Sequence, residues 1–375
     1  MSALMNRRQW LKTGTLAAVG VAIRPESTVL ASPTPAPSFP LNKPLRLHSN
    51  ENPYGPSESA RRAMQVAFDE GNLYPHATYK ELQSLIAQRE GLTPDHVVLG
   101  AGSHEILRMT AMAYGLAGGE ILTAYPTYEG MENYARTIGA HVHRIPLDDD
   151  FLIDLDLMDR RTTQAVKLVF VCNPNNPTGT VLPGQRVQAF CEEVARRSVV
   201  FVDEAYYELV EDPDYYSMTA LVRDGHNVIV SRTFSKIFGL AGLRIGYGLA
   251  RPDIAARLRT FETGAGKNVL GIRAAIAAYQ DPDFIAFSRS KNAEARTYVT
   301  QVLEELGHRC LPSHTNFVFF HLKQNIRQFR ANMERRGILV GRPFPPFLDW
   351  CRLSLGTPEQ MHTFVGAFRA EMSTP

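Results

Sequence analysis

The residues with the clearest chemical potential lie in the segment S-R-T-F-S-K-I-F-G-L-A-G-L-R-I-G-Y, residues 231–247. Lys236 follows two hydroxyl residues, Thr233 and Ser235, and it is followed by glycines and then by Arg244. Hydroxyl groups and a guanidinium suit a phosphate group, and a lysine held among them can form a Schiff base with a carbonyl. An aldehyde cofactor that carries a phosphate would use all of these groups. The simpler interpretation is a surface lysine in a glycine-rich turn.

This segment resembles the Schiff-base region of the fold-type I, pyridoxal-phosphate-dependent aminotransferases of class I and II. Within that family it is most similar to the histidinol-phosphate aminotransferase branch, and the resemblance runs from about Leu45 to the C-terminus. It implies a transaminase that holds pyridoxal 5'-phosphate through a Lys236 Schiff base. The amino donor would be an amino acid or amine of a histidinol-phosphate-like or aromatic kind, and the acceptor a 2-oxo acid. The implied fold is α/β, with a mainly parallel seven-stranded sheet flanked by helices and a smaller C-terminal α/β domain.

A second group of candidates lies where a short apolar strand meets a helix. Gly102, Ser103 and His104 stand at this junction, and small residues there let a backbone approach a ligand closely. The free N–H groups of a first helical turn bind phosphate, helped by the helix dipole. A plain N-cap at Ser103 is the simpler interpretation, and the two are compatible. We therefore predict that these residues, with Thr233 and Ser235, bind the cofactor.

The resemblance assigns four further residues to the cofactor ring. Tyr128 matches the aromatic residue that stacks on the ring, and Asn176 and Tyr206 match the residues that bind the phenolic oxygen. Asp203 follows an apolar strand, at the edge where open α/β sheets bind ligands. A carboxylate there can keep the pyridine nitrogen protonated, which makes the ring an electron sink. The predicted catalytic residues are thus Lys236, Asp203 and Tyr206, although a D-E-A motif alone is more often a helix N-cap.

Three residues are candidates for binding the substrate. Arg352, in R-L-S-L-G, matches the family arginine that binds the substrate carboxylate, and a bidentate guanidinium–carboxylate pair suits that task; the alternative is an exposed strand arginine. Tyr54 lies in the turn-rich segment 50–56, which resembles the substrate entrance. Arg342 follows the G-I-L-V segment, near the place where histidinol-phosphate aminotransferases carry an arginine for the substrate phosphate. The Pro/Phe-rich run after Arg342 departs from that pattern.

Tyr74, in L-Y-P, indicates how copies of the chain assemble. It matches the tyrosine that reaches the cofactor phosphate of the neighbouring subunit, so the resemblance implies a homodimer with shared active sites; a packing aromatic is the alternative. The other expected partners are a small-molecule amino donor and a 2-oxo acid acceptor. The net charge of +2 is too small to suggest nucleic acid or stable association with an anionic membrane.

The residues at 1–31 are typical of a targeting segment. Arg7 and Arg8 precede an uncharged apolar run at residues 13–23, and small residues before Ser32 suit cleavage after Ala31. The run is too short to span a bilayer, and paired arginines resemble a bacterial twin-arginine signal. We predict a periplasmic protein, or a cytoplasmic one if this segment is a disordered basic tail or a short anchor helix. The predicted organisation is a signal peptide at 1–31, a Pro-rich spacer at 32–44, a large cofactor-binding domain with an N-terminal arm at 45–282 and a small domain at 283–375.

The cysteines and histidines do not predict a metal site. None of the four cysteines forms a C-x-x-C pair, and Cys172 and Cys351 lie in apolar strand-like runs that predict buried thiols. His141 and His143 fall on one face of a predicted strand, a spacing that can bind metal. We expect no acidic or thiol partner near them, so we predict no metal there.

Two other functions remain compatible with the sequence. A pyridoxal-phosphate-dependent decarboxylase or lyase of the same fold, resembling threonine-phosphate decarboxylase, would share Lys236, Asp203 and Arg244. A non-catalytic pyridoxal-phosphate-binding protein would act through a partner, although the full set of catalytic matches argues against it. Carbon dioxide release identifies the first, and bound cofactor that never turns over identifies the second.

Overall fold

The computed structural model describes residues 43–116, 118–264 and 266–373. The predicted signal peptide and nearly all of the predicted Pro-rich spacer lie outside these residues. The residues from Pro44 onward form one compact unit, and its centre is a seven-stranded sheet. Numbered along the chain, the strands of this sheet are, in spatial order, β2 (Val97–Gly100), β8 (Gly246–Ala250), β7 (Val228–Thr233), β6 (Val199–Asp203), β5 (Val166–Cys172), β3 (Glu120–Tyr125) and β4 (His141–Pro146).

The sheet is mainly parallel, as predicted. Strand β8 runs antiparallel to both of its neighbours, β7 and β2, whereas the other neighbouring strands are parallel. Successive side chains of β5 enter different apolar clusters: Val169 and Val171 belong to one, and Leu168 and Phe170 belong to the other. Because side chains alternate between the faces of a strand, the sheet has a buried core on each face. This explains the near-continuous apolar run of β5.

Helices cover both faces of this sheet. They are α1 (Glu58–Ala67), α2 (His76–Glu90), α3 (Ser103–Gly115), α4 (Gly130–Thr137), α5 (Leu155–Arg161), α6 (Gly184–Val194), α7 (Thr219–Arg223), α8 (Pro252–Arg259) and α9 (Val269–Tyr279). Helical patterns in the sequence, such as those at 78–90, 184–197 and 268–280, predict most of these helices within a few residues at each end, but they do not predict α5 and α7. These two helices have only 7 and 5 residues, too few for a clear helical period.

The smaller C-terminal part has its own sheets and core. It contains α10 (Pro282–Glu305), β9 (Phe317–His321), α11 (Ile326–Arg335), β10 (Ile338–Val340), β11 (Trp350–Ser354) and α12 (Pro358–Met372). Strand β11 pairs antiparallel with β9, and β10 pairs parallel with β1 (Leu45–Leu47) at the start of the described chain. Strand β1 was not predicted. The fold class is confirmed, whereas the exact domain limits at 282 and 283 stay a prediction.

Two further expectations can be compared with the described residues. Cys172 and Cys351 are buried, as predicted, and all four thiols are free. The expectation that His143 has no acidic neighbour was wrong, because its Nε2 lies 2.8 Å from Oε2 of Glu120. The parallel pairing of β3 with β4 brings the two together, and the described residues contain no cluster of three metal-ligating side chains. None of the described helices has both the length and the apolar content needed to cross a membrane.

Candidate active site

The predicted cofactor residues converge on a cavity of about 580 Å³. It lies where β5, β6 and β7 end at their carboxyl termini, the edge at which open α/β sheets bind ligands. Loops after β1 and β10 and strand β11 complete the wall. The predicted site residues that line the cavity are Ser103, His104, Tyr128, Asn176, Asp203, Tyr206, Thr233, Ser235, Lys236, Arg244, Arg342 and Arg352.

One end of the cavity has the groups that bind a phosphate. Helix α3 begins at Ser103, and Gly102 precedes it with a φ of 74°. A Cβ atom at Gly102 would lie 2.3 Å from Nη2 of Arg244, so only glycine lets the guanidinium lie against this turn. Arg244 Nη1 also donates to Ser235 Oγ at 3.4 Å and to the carbonyl of Ala241 at 2.9 Å. Free N–H groups, a hydroxyl and a guanidinium therefore fit the phosphate of the predicted cofactor.

Thr233 contributes to this end by shaping the turn before the lysine. Its Oγ1 donates to Ser235 Oγ at 2.9 Å and accepts from Ser235 N at 3.1 Å. This local pair holds the Ser235 hydroxyl toward Arg244. The direct hydrogen bonds of Thr233 thus go to Ser235, and a direct bond from Thr233 to the cofactor stays a prediction.

Lys236 stands between the two ends of the cavity. Its Nζ donates to the carbonyl of Asn50 at 3.2 Å and lies 5.7 Å from the centre of the Tyr206 ring. Burial, with a smaller contribution from Arg352, lowers the pKa of Lys236 to about 8. Raising the pH through about 8 converts its ammonium into the neutral amine. Only the neutral form attacks a carbonyl, so this environment prepares Lys236 to bind an aldehyde near neutral pH.

Asp203 has the environment expected of a residue that awaits a cationic ligand. It is 2% exposed at the end of β6, and its Oδ1 accepts from Ala205 N at 3.2 Å. No side chain in the part of the chain that the structure describes donates to it. Burial raises the pKa of Asp203 to about 7. A buried carboxylate without a charged partner is costly, and the protonated ring nitrogen of the cofactor would provide that partner.

The two residues predicted for the phenolic oxygen lie together. Tyr206 OH accepts from Asn176 Nδ2 at 3.4 Å, and burial raises the pKa of Tyr206 above its usual value. A third residue, Asn50, donates from Nδ2 to the same hydroxyl at 3.0 Å. Asn50 was not predicted as a site residue, although the turn-rich segment 50–56 that contains it was identified from the sequence. Its side chain is oriented by Ser354, whose Oγ donates to Asn50 Oδ1 at 3.0 Å.

Tyr128 and His104 form one wall of the cavity. Their rings meet edge to face with centroids 5.5 Å apart, and a hydrogen bond joins Tyr128 OH to His104 Nε2. Burial, together with the charges of Arg244 and Lys236, lowers the pKa of His104, which favours the neutral imidazole. An aromatic wall held in this way suits a flat cofactor ring, and the stacking of Tyr128 on that ring stays a prediction.

Arg352 is buried where a substrate carboxylate would approach. It is 8% exposed, which differs from the exposed strand arginine of the alternative interpretation. Its Nη1 donates to Asn176 Oδ1 at 2.7 Å and its Nη2 to the carbonyl of His48 at 2.8 Å. Its buried Nε has no partner among the described residues. Burial lowers the pKa of Arg352 to about 10, so a substrate carboxylate would relieve an unpaired buried cation.

Three of the predicted residues lie at or beyond the edges of this cavity. Tyr54 lines a separate, smaller cavity of about 20 Å³ on another side of Lys236, with its ring edge-on to Phe287 at 5.0 Å. Tyr74 is 77% exposed and does not line the cavity. Arg342 lines the cavity, and its Nη2 donates to Glu129 Oε2 at 2.6 Å. The substrate role of Tyr54 and the role of Tyr74 stay predictions.

Comparisons with known proteins identify the family of the chain. A family model described as aminotransferase class I and II matches residues 42–368. Histidinol-phosphate aminotransferase of Moorella thermoacetica is 38% identical over 328 residues, 87% of this chain and 84% of that relative. Aromatic amino acid aminotransferase of Mycolicibacterium vanbaalenii is 35% identical over 350 residues, 92% of this chain and 97% of that relative. The structure of histidinol-phosphate aminotransferase from Sinorhizobium meliloti in complex with pyridoxal-5'-phosphate has a TM-score of 0.82 at 28% identity, covering 88% of this chain and 92% of that chain.

Proposed function

Since the chain belongs to the class I and II aminotransferase family, we propose that it moves an amino group between a histidinol-phosphate-like or aromatic donor and a 2-oxo acid. The enzyme is a transaminase that uses pyridoxal 5'-phosphate. One observation carries the substrate proposal: the cavity has a buried arginine, Arg352, beside an aromatic residue, Phe344, and a second arginine, Arg342, at its rim. An arginine suits the single anionic group of such a donor, which is a carboxylate in an aromatic amino acid and a phosphate in histidinol phosphate, and the aromatic surface suits its flat side chain.

The residues of the chain have separable tasks in this reaction. When bound, pyridoxal phosphate supplies an electron sink for the pair of electrons left on the substrate α-carbon. Lys236 Nζ takes the proton from that carbon as general base and returns a proton as general acid, for which a pKa of about 8 is well placed. Asp203 holds a proton on the ring nitrogen. Tyr206 and Asn176 orient the ring through its phenolic oxygen.

Half-reactions measured one at a time test the substrate proposal. The pyridoxal-loaded enzyme is mixed with histidinol phosphate, phenylalanine or O-phosphothreonine, and the loss of the cofactor's visible absorbance is followed together with the products. We expect the first two amines to convert the cofactor into its amine form without carbon dioxide, and a 2-oxo acid to reverse the change. Carbon dioxide release from O-phosphothreonine would instead support the decarboxylase alternative. A spectrum that never changes would support a binding protein.

We also propose that the active unit is a homodimer whose subunits share their active sites. Four large apolar side chains are exposed within one short stretch at the end of α1 and the loop after it: Val66, Phe68, Leu73 and Tyr74, at 73%, 68%, 61% and 77%. Exposed apolar side chains concentrated in this way favour an interface with another protein. A second copy of the chain is the partner that accounts for Tyr74, and two-fold symmetry would place each Tyr74 at the other subunit's cavity.

Replacing Tyr74 by phenylalanine tests that arrangement. The lost hydroxyl removes one hydrogen bond to the cofactor phosphate, so we expect the dissociation constant of pyridoxal phosphate to rise by roughly tenfold. Tyr216→Phe is the matched control, because Tyr216 is also exposed and donates to Gln188, away from the cavity. Light scattering should show a dimer for the unmodified protein. A monomeric active protein, or equal cofactor affinities in both variants, would contradict the proposal.

A third proposal concerns localisation. We propose that a twin-arginine signal carries the enzyme into the periplasm. The support is in the sequence, since Arg7 and Arg8 precede a short apolar run. Replacing both arginines by lysine keeps the charge, yet we expect it to leave active enzyme in the cytoplasm, because the pair is read as a sequence signal. Cell fractionation with an activity assay and N-terminal sequencing measures the effect, and an unmodified protein that stays cytoplasmic with its N-terminus intact would refute export.

A further inference from the structure

We propose that Glu129 is a specificity-determining residue of this enzyme. By pairing with Arg342 at the rim of the cavity, it lets one site accept both a substrate with an anionic side chain and one with an uncharged aromatic side chain. The anionic group takes the place of Glu129 on Arg342, whereas the aromatic side chain binds with the ion pair intact. This inference rests on the transaminase function proposed above, since the two half-reactions place different substrates in the same cavity.

The ion pair joins the two sides of the cavity rim. Arg342 follows β10 in the C-terminal part, and Glu129 directly follows Tyr128 on the side of the main sheet. Arg342 Nη2 donates to Glu129 Oε2 at 2.6 Å. The Arg342 side chain is 46% exposed and that of Glu129 is 28% exposed. Because Arg342 also lines the cavity, its guanidinium lies where a bound substrate and the solvent meet.

Solvent exposure makes this pair easy to exchange. Ion pairs in contact with water add little net stability, because both charges remain hydrated when they separate. The pair between Arg232 and Glu204 is the contrast, with side chains 4% and 1% exposed. Separating a buried pair leaves an unpaired charge without water, which is costly. A substrate carboxylate or phosphate can therefore replace Glu129 at Arg342, while Arg232 keeps its partner.

Phe344 provides the surface on which an aromatic substrate would pack. It is 3% exposed and lines the cavity. The guanidinium of Arg342 lies 4.2 Å from the centre of its ring, and that of Arg352 lies 4.9 Å from the same centre. The guanidinium groups of both arginines thus lie close to one aromatic ring. Arg352 remains available for the carboxylate next to the reacting carbon, which both substrates have. Arg342 contacts only the side chain, in which the two substrates differ.

Glu129 matters for the uncharged substrate because of desolvation. An aromatic side chain that enters the cavity displaces water from Arg342, and a guanidinium that loses water without gaining a partner is destabilised. Glu129 supplies that partner. Arg330 also lines the cavity and adds to its positive charge. Removing the charge of Glu129 should therefore favour anionic substrates and disfavour uncharged ones.

The test compares Glu129→Gln with the unmodified holoenzyme in separate half-reactions. We expect KM for 2-oxoglutarate to fall by roughly three- to tenfold and KM for phenylpyruvate to stay or rise, with kcat for both nearly unchanged, because the change affects binding rather than the reacting atoms. The ratio of kcat/KM values should shift at least fivefold toward the anion. Glu211→Gln is the matched control: Glu211 pairs with Arg296 at 3.0 Å and is 49% exposed, outside the cavity. It should leave the ratio unchanged.

A binding measurement separates this inference from the proposed function. Inorganic phosphate is titrated into the holoenzyme, in which the cofactor already fills the phosphate end, and its dissociation constant is measured by calorimetry. We expect phosphate to bind several-fold more tightly to the Glu129→Gln variant and more weakly to Arg342→Gln. Unchanged phosphate affinity in Glu129→Gln, or equal shifts in KM for both oxo acids, would overturn the role of Glu129. Tighter phosphate binding without any half-reaction would support that role and refute the substrates proposed above.

Discussion

Replacing Lys236 by alanine should abolish transamination. Among the described residues, no other side chain that lines the cavity combines an amine with a pKa lowered to about 8, so none of them can take over the proton transfer at the substrate α-carbon. We expect kcat to fall by roughly 10⁴-fold or more. The visible absorbance of the bound cofactor should shift to that of the free aldehyde. Stopped-flow absorbance measures both effects.

A second lysine variant shows whether the effect is local. Lys167 is an exposed residue of β5 whose Nζ donates to the carbonyl of Gln164, away from the cavity. Lys167→Ala should keep the rate and the spectrum of the unmodified enzyme. A Lys236→Ala enzyme that retains both turnover and the original absorbance would remove Lys236 from its role and, with it, the assignment of the whole cavity.

The second large effect is expected from Asp203→Asn. The amide has nearly the same shape, so the cofactor should still bind, but an uncharged residue cannot hold a proton on the ring nitrogen. We expect proton abstraction to slow by about 10²- to 10³-fold in a single turnover, as when a preorganised electrostatic partner is removed. Asp224→Asn, at an exposed position after α7, is the control. Single-turnover rates equal to those of the unmodified enzyme would exclude Asp203 from this role.

The sequence predicted the main sheet and the residues at its carboxyl edge well. Apolar runs such as 166–172 are bounded by turn-forming residues, and a parallel strand covered on both faces needs such a run. Once the strands were placed, Asp203 and Asn176 had to lie at the ligand-binding edge. The resemblance to a known family then supplied roles for them. The family and the cofactor are both confirmed by the comparisons.

Contacts between distant segments could not be predicted in the same way. Asn50 has a φ of 54°, and its side chain is oriented by Ser354. The residues next to Asn50 in the sequence predict neither feature. Strand β1 has three residues, too few to show a period of two, and exists because β10 pairs with it. The direction of a side chain also depends on the residues that surround it in the folded structure, which the sequence alone does not identify. Arg342 lines the cavity, as a substrate-binding residue must, but its pairing with Glu129 was not predicted, and Tyr54 lies in a different cavity.

The link between Asn50 and Ser354 determines when the cavity can first form during synthesis. The two residues are separated by 304 positions in the chain, and a ribosome that adds about 5 to 20 residues each second needs roughly 15 to 60 s to make that stretch. During this time Lys236 emerges, but the loop that carries Asn50 still lacks Ser354, whose hydroxyl bonds both the backbone N–H and the side-chain oxygen of Asn50. If the N-terminus crossed a membrane during translation, β1 would be removed before its partner strand β10 had been synthesised. An export route that accepts only fully synthesised proteins would let this wall of the cavity form first.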